Sequence, residues 1–269
     1  NACCLHPKLK KTEILKQHGP GVQAFRAFFR KVAGLIQGKT MEQKRTILIS
    51  GANRGIGAAT AQAFMNAGWN VSLGMRTPHM PDLADDATTQ VHAYDASKPE
   101  TATLWADAAV KRFGRIDAVV ANAGIMVRNS VIDATDDEFA ALMDVNVNGP
   151  RLVVKACWDE LVKTGSGRVV IVASLSAKRV KSAISGAYSV SKFAALGLSH
   201  AIRHAGFDRG VRSTAVCPGF VATDMGTPLA SASDELTRPE DVASSILHIV
   251  SLPNSASVSE FWVNSLLDD

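Results

Sequence analysis

Tyr188 and Lys192 stand four residues apart in the run Gly186-Ala187-Tyr188-Ser189-Val190-Ser191-Lys192. On a helix, residues i and i+4 share a face, so this spacing sets an ammonium beside a phenol. A neighbouring cation favours the phenolate and pulls down a pKa that starts near ~10. A tyrosine tuned in this way can pass a proton to or from a substrate oxygen near neutral pH. The spacing alone is common by chance; its weight comes from what accompanies it.

Upstream, Thr46-Ile47-Leu48-Ile49-Ser50 is a short, apolar, β-branched run that reads as a buried strand. Gly51-Ala52-Asn53-Arg54-Gly55-Ile56-Gly57 follows at once, and Ala58 to Met65 reads as a helix. Strand, glycine turn and helix form the context of a dinucleotide fingerprint. The glycines let the backbone approach a pyrophosphate, and the helix N-terminus favours its charge. The spacing is G-x-x-x-G-x-G rather than G-x-G-x-x-G.

Taken together, the two features resemble the compact, single-domain branch of the short-chain dehydrogenase/reductase family, from about Thr46 to about Val263. Further family motifs occur in order. Asp95 follows Val91-His92-Ala93-Tyr94, and Asn122-Ala123-Gly124 closes the strand that starts at Ile116. Asn146 sits in Val145-Asn146-Val147-Asn148-Gly149. Ser174 ends the strand Arg168 to Ala173, and Pro218-Gly219 with Thr223 follows the sixth strand. The resemblance implies cofactor contacts from Gly51, Asn53, Arg54, Gly55, Ile56 and Gly57 in the turn, and from Arg76 after the second strand. It implies further contacts from Asp95 and Ala96 near the adenine, and from Asn122, Ala123 and Gly124. Tyr188, Lys192, Pro218, Gly219, Val221 and Thr223 complete that set.

The chain departs from the family pattern in four places. Ser50 replaces the usual threonine but keeps a hydroxyl. Ala121 replaces the first asparagine of N-N-A-G. Fourteen positions separate Ser174 from Tyr188 where thirteen are commoner, which leaves Ser176 as a rival to Ser174. The last strand lacks the glycine pair that often follows it.

The elements must bring these motifs together. Candidate strands at 46–50, 70–75, 90–94, 116–121, 168–174, 211–217 and 260–264 alternate with helical patterns at 56–67, 98–113, 136–161, 187–206 and 239–251. Alternating βα units imply an α/β fold: a doubly wound, Rossmann-type parallel sheet of about seven strands with helices on both faces. Ligands then bind beyond the C-terminal strand ends, where Asn122, Ser174 and Pro218 converge.

The implied catalytic set is Asn146, Ser174, Tyr188 and Lys192. Tyr188 is the acid in carbonyl reduction and the base in alcohol oxidation. Ser174 donates to the oxygen where charge develops. The resemblance implies that Lys192 holds the nicotinamide ribose and that Asn146 holds a water in the proton path. Two other readings stand beside this oxidoreductase: a catalytically silent NAD(P)-binding regulator, and a nucleotide-sugar epimerase or dehydratase. The first would usually lose Tyr188 or Lys192. The second usually carries G-x-x-G-x-x-G and a longer C-terminal region.

NADP(H) is the expected cofactor, with NAD(H) as the alternative. The second strand, Val71 to Met75, ends without the acid that would accept from a ribose 2′-hydroxyl. Arg76 and Arg54 can instead grip a 2′-phosphate. The substrate is expected to be a small carbonyl or alcohol, and Lys178, Arg179, Lys181 and Arg128 form a basic lip that would favour polar or anionic ones. The small-residue segment 223–238 should cover the pocket. Excess apolar residues on the helices at 136–161 and 187–206, such as Phe139 and Phe193, predict a homodimer or homotetramer.

With 269 residues, 46% hydrophobic, the chain suits one large core. No apolar run approaches the roughly eighteen residues of a membrane span. No Cys/His cluster points to a metal, and the four scattered cysteines fit a reducing, cytoplasmic setting. The net charge of +4 divides unevenly. Residues 1–40 hold eight basic residues and one acid, leaving 21 of the 29 basic and 24 of the 25 acidic residues downstream. The folded part is therefore mildly acidic, with no basic stripe for nucleic acid. Residues 1–40 read as an extension outside a 41–269 domain: a targeting segment, a binding arm, or a non-native stretch before a start at Met41. All motifs lie downstream, so the extension is expected to be dispensable for the fold.

Overall fold

A computed structural model describes residues 43–82, 84–229 and 236–265. The readings made on residues 1–40 lie outside these residues, as do those on the middle of segment 223–238. Seven strands are present: β1 (Thr46–Ser50), β2 (Asn70–Met75), β3 (Thr89–Ala93), β4 (Ala118–Ala121), β5 (Arg168–Val172), β6 (Arg212–Pro218) and β7 (Glu260–Val263). They form one sheet in the order β3-β2-β1-β4-β5-β6-β7, every pairing parallel. The strand order reverses between β1 and β4, and such a switch point opens a crevice at the carboxyl ends.

Side-chain alternation along each strand builds two core layers. Ile47 and Ile49 face one side with Val71, Leu73, Val120 and Val170, under α1 (Gly55–Asn66) and α6 (Pro239–Ser251). Leu48 faces the other side with Val119, Val169 and Ile171. That layer is covered by α2 (Pro99–Phe113), α4 (Gly149–Lys163) and α5 (Gly186–Gly206). Trp105 on α2 is fully buried against β2. Its indole N–H donates to Ser72 Oγ at 2.9 Å, and its ring lies flush on Gly74.

The alternation of strands and helices follows the sequence reading, with edges unmoved or shifted by one or two residues. The largest revision concerns the helix expected over 136–161. It is three pieces: α3 (Asp136–Met143), a π turn over Asp144–Asn148, and α4. Pro150 explains the break. It has no N–H for the carbonyl of Asn146 four residues back, and its ring crowds that carbonyl. β4 also starts two residues late, because the Asp117 carboxylate accepts the Thr46 N–H at 2.8 Å and closes the strand start with a side chain. Ser174 lies outside β5, at the N-cap of a single 3₁₀ turn over Leu175–Ala177.

A Cβ at Gly74 would stand 2.7–2.9 Å from three atoms of the Trp105 ring, which is buried and cannot swing away. Gly74→Ala should destabilise the fold by about 1–3 kcal/mol. Urea unfolding checks this; an unchanged midpoint would mean that the helix–sheet spacing at Trp105 is loose.

Candidate functional site

The crevice at the switch point is held open by two residues. Ser50 Oγ, at the end of β1, accepts the backbone N–H of Asn122 and of Ala123, both at 3.0 Å. The Asn122 amide returns two bonds, to the Ser50 carbonyl at 3.1 Å and the Gly51 carbonyl at 3.2 Å. The serine that departs from the family pattern therefore keeps its function as a clamp.

The turn between β1 and α1 can accept a pyrophosphate. Gly51 (φ 65°) and Gly55 (φ 55°) occupy the left-handed region that side chains avoid. A Cβ at Gly57 would meet the Gly51 carbonyl and stand 2.6 Å from Asn122 Nδ2. Helix α1 has neither a side-chain cap nor an acid in its first turn, so its N-terminal N–H groups face the cleft without a protein anion. Asn53, Arg54, Ile56, Arg76, Asp95, Ala96 and Val221 line the same cleft of about 1220 Å³.

Two expected cofactor groups are already engaged. Arg54 Nη1 pairs with Asp224 Oδ2 at 2.6 Å across the cleft mouth. Both side chains are well exposed, at 66% and 72%, so the pair is screened and worth about 0–1 kcal/mol. Arg54 was expected to grip a 2′-phosphate; a phosphate there must share Arg54 with Asp224 or displace that acid. Asp95 accepts from Ser97 N and Oγ, at 3.0 and 2.7 Å. Those bonds, led by the Ser97 hydroxyl, hold its carboxyl below the usual range, and Arg76 and Lys98 add to the effect. Beyond β6, Pro218 and Gly219 line the cleft, and Thr223 packs its methyl on Gly55.

Ser174, Tyr188 and Lys192, the residues expected to handle the proton, line the same cleft. Tyr188 and Lys192 are on α5 and are 7% and 6% exposed. Lys192 Nζ stands 5.7 Å from the Tyr188 ring centre and donates to the Val172 carbonyl at 3.0 Å. Burial pushes Tyr188 up to about 12; the Ser174 hydroxyl bond pulls it part of the way back. Burial pulls Lys192 down to about 8. The lysine was expected to lower the phenol pKa by standing beside it. Desolvation wins instead, and the ammonium donates to the Val172 carbonyl.

Of Ser174 and Ser176, which both line the cleft, Ser174 is the one hydrogen-bonded to Tyr188. Its Oγ accepts the Ser176 N–H at 3.1 Å, which leaves the hydroxyl proton to donate toward Tyr188. Asn146 is 2% exposed on the π turn, next to Gly124. Its Oδ1 accepts Ile125 N–H at 2.9 Å, and its Nδ2 donates to the Ile125 carbonyl and to Ser191 Oγ, both at 2.9 Å. Both amide protons are spent within the protein, so a water would rest on its remaining lone pair or its own carbonyl. Ser191 passes the bond on to the Tyr188 carbonyl at 2.7 Å. Sequence reasoning gave Ser191 no role; its cue was a polar residue on the face shared by Tyr188 and Lys192.

The basic lip is only partly formed as expected. Arg128, Arg179 and Lys181 line the cleft. Lys178 does not: it turns to Glu260 Oε2 at 2.8 Å and lies over the Trp262 ring, drawn by an acid on β7 that the sequence could not place. Among the described residues, no group of three His, Cys, Asp or Glu could hold a metal, and no helix is long and apolar enough to cross a membrane. Cys157 and Cys217 are buried free thiols.

A parallel switch-point sheet with a glycine cradle and a Ser–Tyr–Lys cluster defines a dinucleotide-binding α/β protein of the dehydrogenase type. Residues 45–234 match the family described as short chain dehydrogenase, and the chain belongs to that family. Agropine synthesis reductase of Rhizobium rhizogenes is 38% identical over 226 residues, 81% of this chain and 52% of that protein. The chain thus spans about half the length of that relative. Oxidoreductase UcpA of Escherichia coli is 32% identical over 73% of this chain and 75% of its own. The fold matches the ligand-free aldohexose dehydrogenase of Thermoplasma acidophilum at a TM-score of 0.74, with 23% identity over 83% of this chain and 93% of that one. It also matches the alcohol dehydrogenase of Thermococcus sibiricus, solved with 5-hydroxy-NADP, at 0.72, with 25% identity over 84% and 98%.

The lysine pKa has a stability consequence. Lys192 is lowered from 10.5 to about 8 on folding, so between these values the unfolded chain binds more protons. Stability conferred by position 192 therefore rises as pH climbs from about 8 toward about 10 and is lost as pH falls through about 8. Relative to Lys192→Met, the wild-type protein should gain a few kcal/mol over that window. Denaturant unfolding of both proteins across the range checks it; a constant difference would show that Lys192 keeps an ordinary pKa.

Proposed function

We propose that the chain is an NADP(H)-preferring oxidoreductase that interconverts a carbonyl and a secondary alcohol, with Tyr188 as general acid and base. The observation that carries the reading is the Ser174–Tyr188–Lys192 cluster opening into the cleft that holds the glycine cradle. A bound nicotinamide supplies or accepts the hydride.

The residues divide the remaining work. Before reaction the buried phenol is firmly protonated, the form needed to give a proton to a carbonyl oxygen. Ser174 donates to the same oxygen as charge develops. The Lys192 ammonium, 5.7 Å from the ring centre, helps to stabilise the phenolate as the proton leaves. Asn146 acts by position: its three bonds fix the π turn against Ile125 and Ser191, beside Lys192. The name of the Rhizobium relative, a reductase, supports a reductive activity, and the 5-hydroxy-NADP in the Thermococcus alcohol dehydrogenase supports an NADP(H)-linked one.

Cofactor preference rests on Arg76, which follows β2 with no acid at the strand end, and secondarily on Arg54. Tyr188→Phe should lower kcat by about a thousandfold. Arg76→Ala should weaken NADPH binding about tenfold and leave NADH binding nearly unchanged. Asp224→Asn, which releases Arg54, should tighten NADPH. Fluorescence titration and kcat/KM with each cofactor check these together; a wild-type preference for NADH would overturn the assignment.

We also propose a homo-oligomer packed along α5, whose outer face exposes Val190 and Phe193 beside Gly197, with open space at that glycine. Sedimentation at micromolar concentration should show a dimer or tetramer; a monomer would reject it.

A further inference from the structure

Ser176 is a polar residue of the cleft wall that the proton chemistry leaves unused. It lies two residues past Ser174, in the middle of the 3₁₀ turn over Leu175–Ala177, and lines the cleft. Three hydrogen bonds fix that turn. Ser174 Oγ accepts the Ser176 N–H at 3.1 Å, and the Ser174 carbonyl accepts the Ala177 N–H at 2.9 Å. The Leu175 carbonyl accepts the Lys178 N–H at 2.9 Å. Leu175 and Ala177 are buried with Ala173 and Cys217, while Ser176 between them is half-buried at the cleft.

The hydroxyls of this wall are not alike. Ser174 Oγ is engaged with the Ser176 N–H and with Tyr188. Ser182 and Ser185, further along the same loop, bond each other. Ser176 Oγ makes no hydrogen bond among the described residues, and it is open to the cleft rather than sealed in the core. It therefore offers one donor and two acceptor positions to whatever fills the cleft. Its place is set by the rigid turn. Ser176 N stands 3.1 Å from Ser174 Oγ. A serine hydroxyl lies ~3–4 Å from its own nitrogen, so the two hydroxyls are within about 7 Å of each other. Two substrate oxygens, one on each serine, can then belong to carbons that are adjacent or separated by one more carbon.

We propose that the substrate carries a hydroxyl on the carbon next to the carbonyl carbon or one further along, and that Ser176 binds it. The inference rests on the oxidoreductase reading and adds a substrate class to it, the hydroxycarbonyl compounds. In the reduction the carbonyl carbon takes the hydride from NADPH and the carbonyl oxygen takes the Tyr188 proton. The products are a diol and NADP⁺, and the phenolate regains a proton from solvent. The second hydroxyl is unchanged; its bond to Ser176 turns the carbonyl toward Ser174 and Tyr188. An analogue with a methyl group in its place would displace water from Ser176 and give the serine no partner, and a site of this kind discriminates against such analogues.

The test uses isosteric pairs, hydroxyacetone against butanone and 4-hydroxy-2-butanone against 2-pentanone, with the full chain and saturating NADPH. The kcat/KM ratio of hydroxyketone to ketone should exceed about tenfold for at least one pair, and Ser176→Ala should lower that ratio about tenfold. The ratio is taken within each protein, so a general loss of activity cancels, as does the greater intrinsic reactivity of a hydroxyketone. Ser176→Thr, which keeps a hydroxyl, should hold most of the ratio. Fluorescence titration of the NADPH-loaded protein with 1,2-propanediol and with 2-butanol reads the preference without turnover. Absence of turnover on every pair, with the diol bound more tightly than the alcohol in the wild type and equally in Ser176→Ala, would reject the oxidoreductase reading and keep the Ser176 site. A turnover ratio equal in wild type and Ser176→Ala, or no turnover together with no preference for the diol, would overturn the proposal.

Discussion

Everything at the site hangs on the four hydrogen bonds between Ser50, Asn122 and their neighbours. A parallel sheet offers a crevice only where adjacent strands send their chains to opposite faces, and that divergence leaves backbone groups at two strand ends without ladder partners. Ser50 Oγ and the Asn122 amide satisfy them. Without that clamp the ends of β1 and β4 would need water or a different turn, at roughly 1–3 kcal/mol for each buried group left unpaired. The glycine turn is therefore shaped from the β4 side as well as by its own left-handed residues. Asn122 holds the carbonyl of Gly51, and Gly57 must lack a side chain because Asn122 lies where one would go.

Burial sets the second constraint. The phenol and the ammonium share a face of α5, yet both are removed from water, and desolvation moves each toward its neutral form. The two shifts move their proton affinities apart, from nearly equal in water to a phenol near 12 beside an ammonium near 8, so the phenol keeps its proton while the lysine gives its own up more readily. The cost is borne by packing and by fixed dipoles: the Val172 carbonyl under Lys192, and the Asn146–Ser191 bonds under the helix turn that carries Tyr188.

Much of this was legible in the chain because strand, turn and helix signals are local. The alternation of Ile47, Leu48 and Ile49 and the glycine spacing need no partner to be read. The bonds between distant segments were not legible. Lys178 looked like part of the lip, but its direction is decided by Glu260, more than eighty positions later. Arg54 looked free for a phosphate, and Asp224 is 170 positions away. The π turn did leave a local mark, Gly149-Pro150, but helix periodicity runs through it and hides a single added residue. Ser191 was in plain view and lacked only a known neighbour.

The sheet order carries a consequence for how the protein comes to be made. β1 is paired to β2 on one side and β4 on the other, so the glycine turn and the Ser50–Asn122 clamp can be in place once the chain has reached Gly124. The rest of the cleft waits for β5, β6 and α5. Because every strand is parallel, each addition must wait for an intervening crossover, and such long-range pairing is slow. On the ribosome, a nascent chain of this kind holds its glycine turn and clamp before it owns Tyr188 and Lys192, so one wall of the cleft is shaped while the other is still unmade.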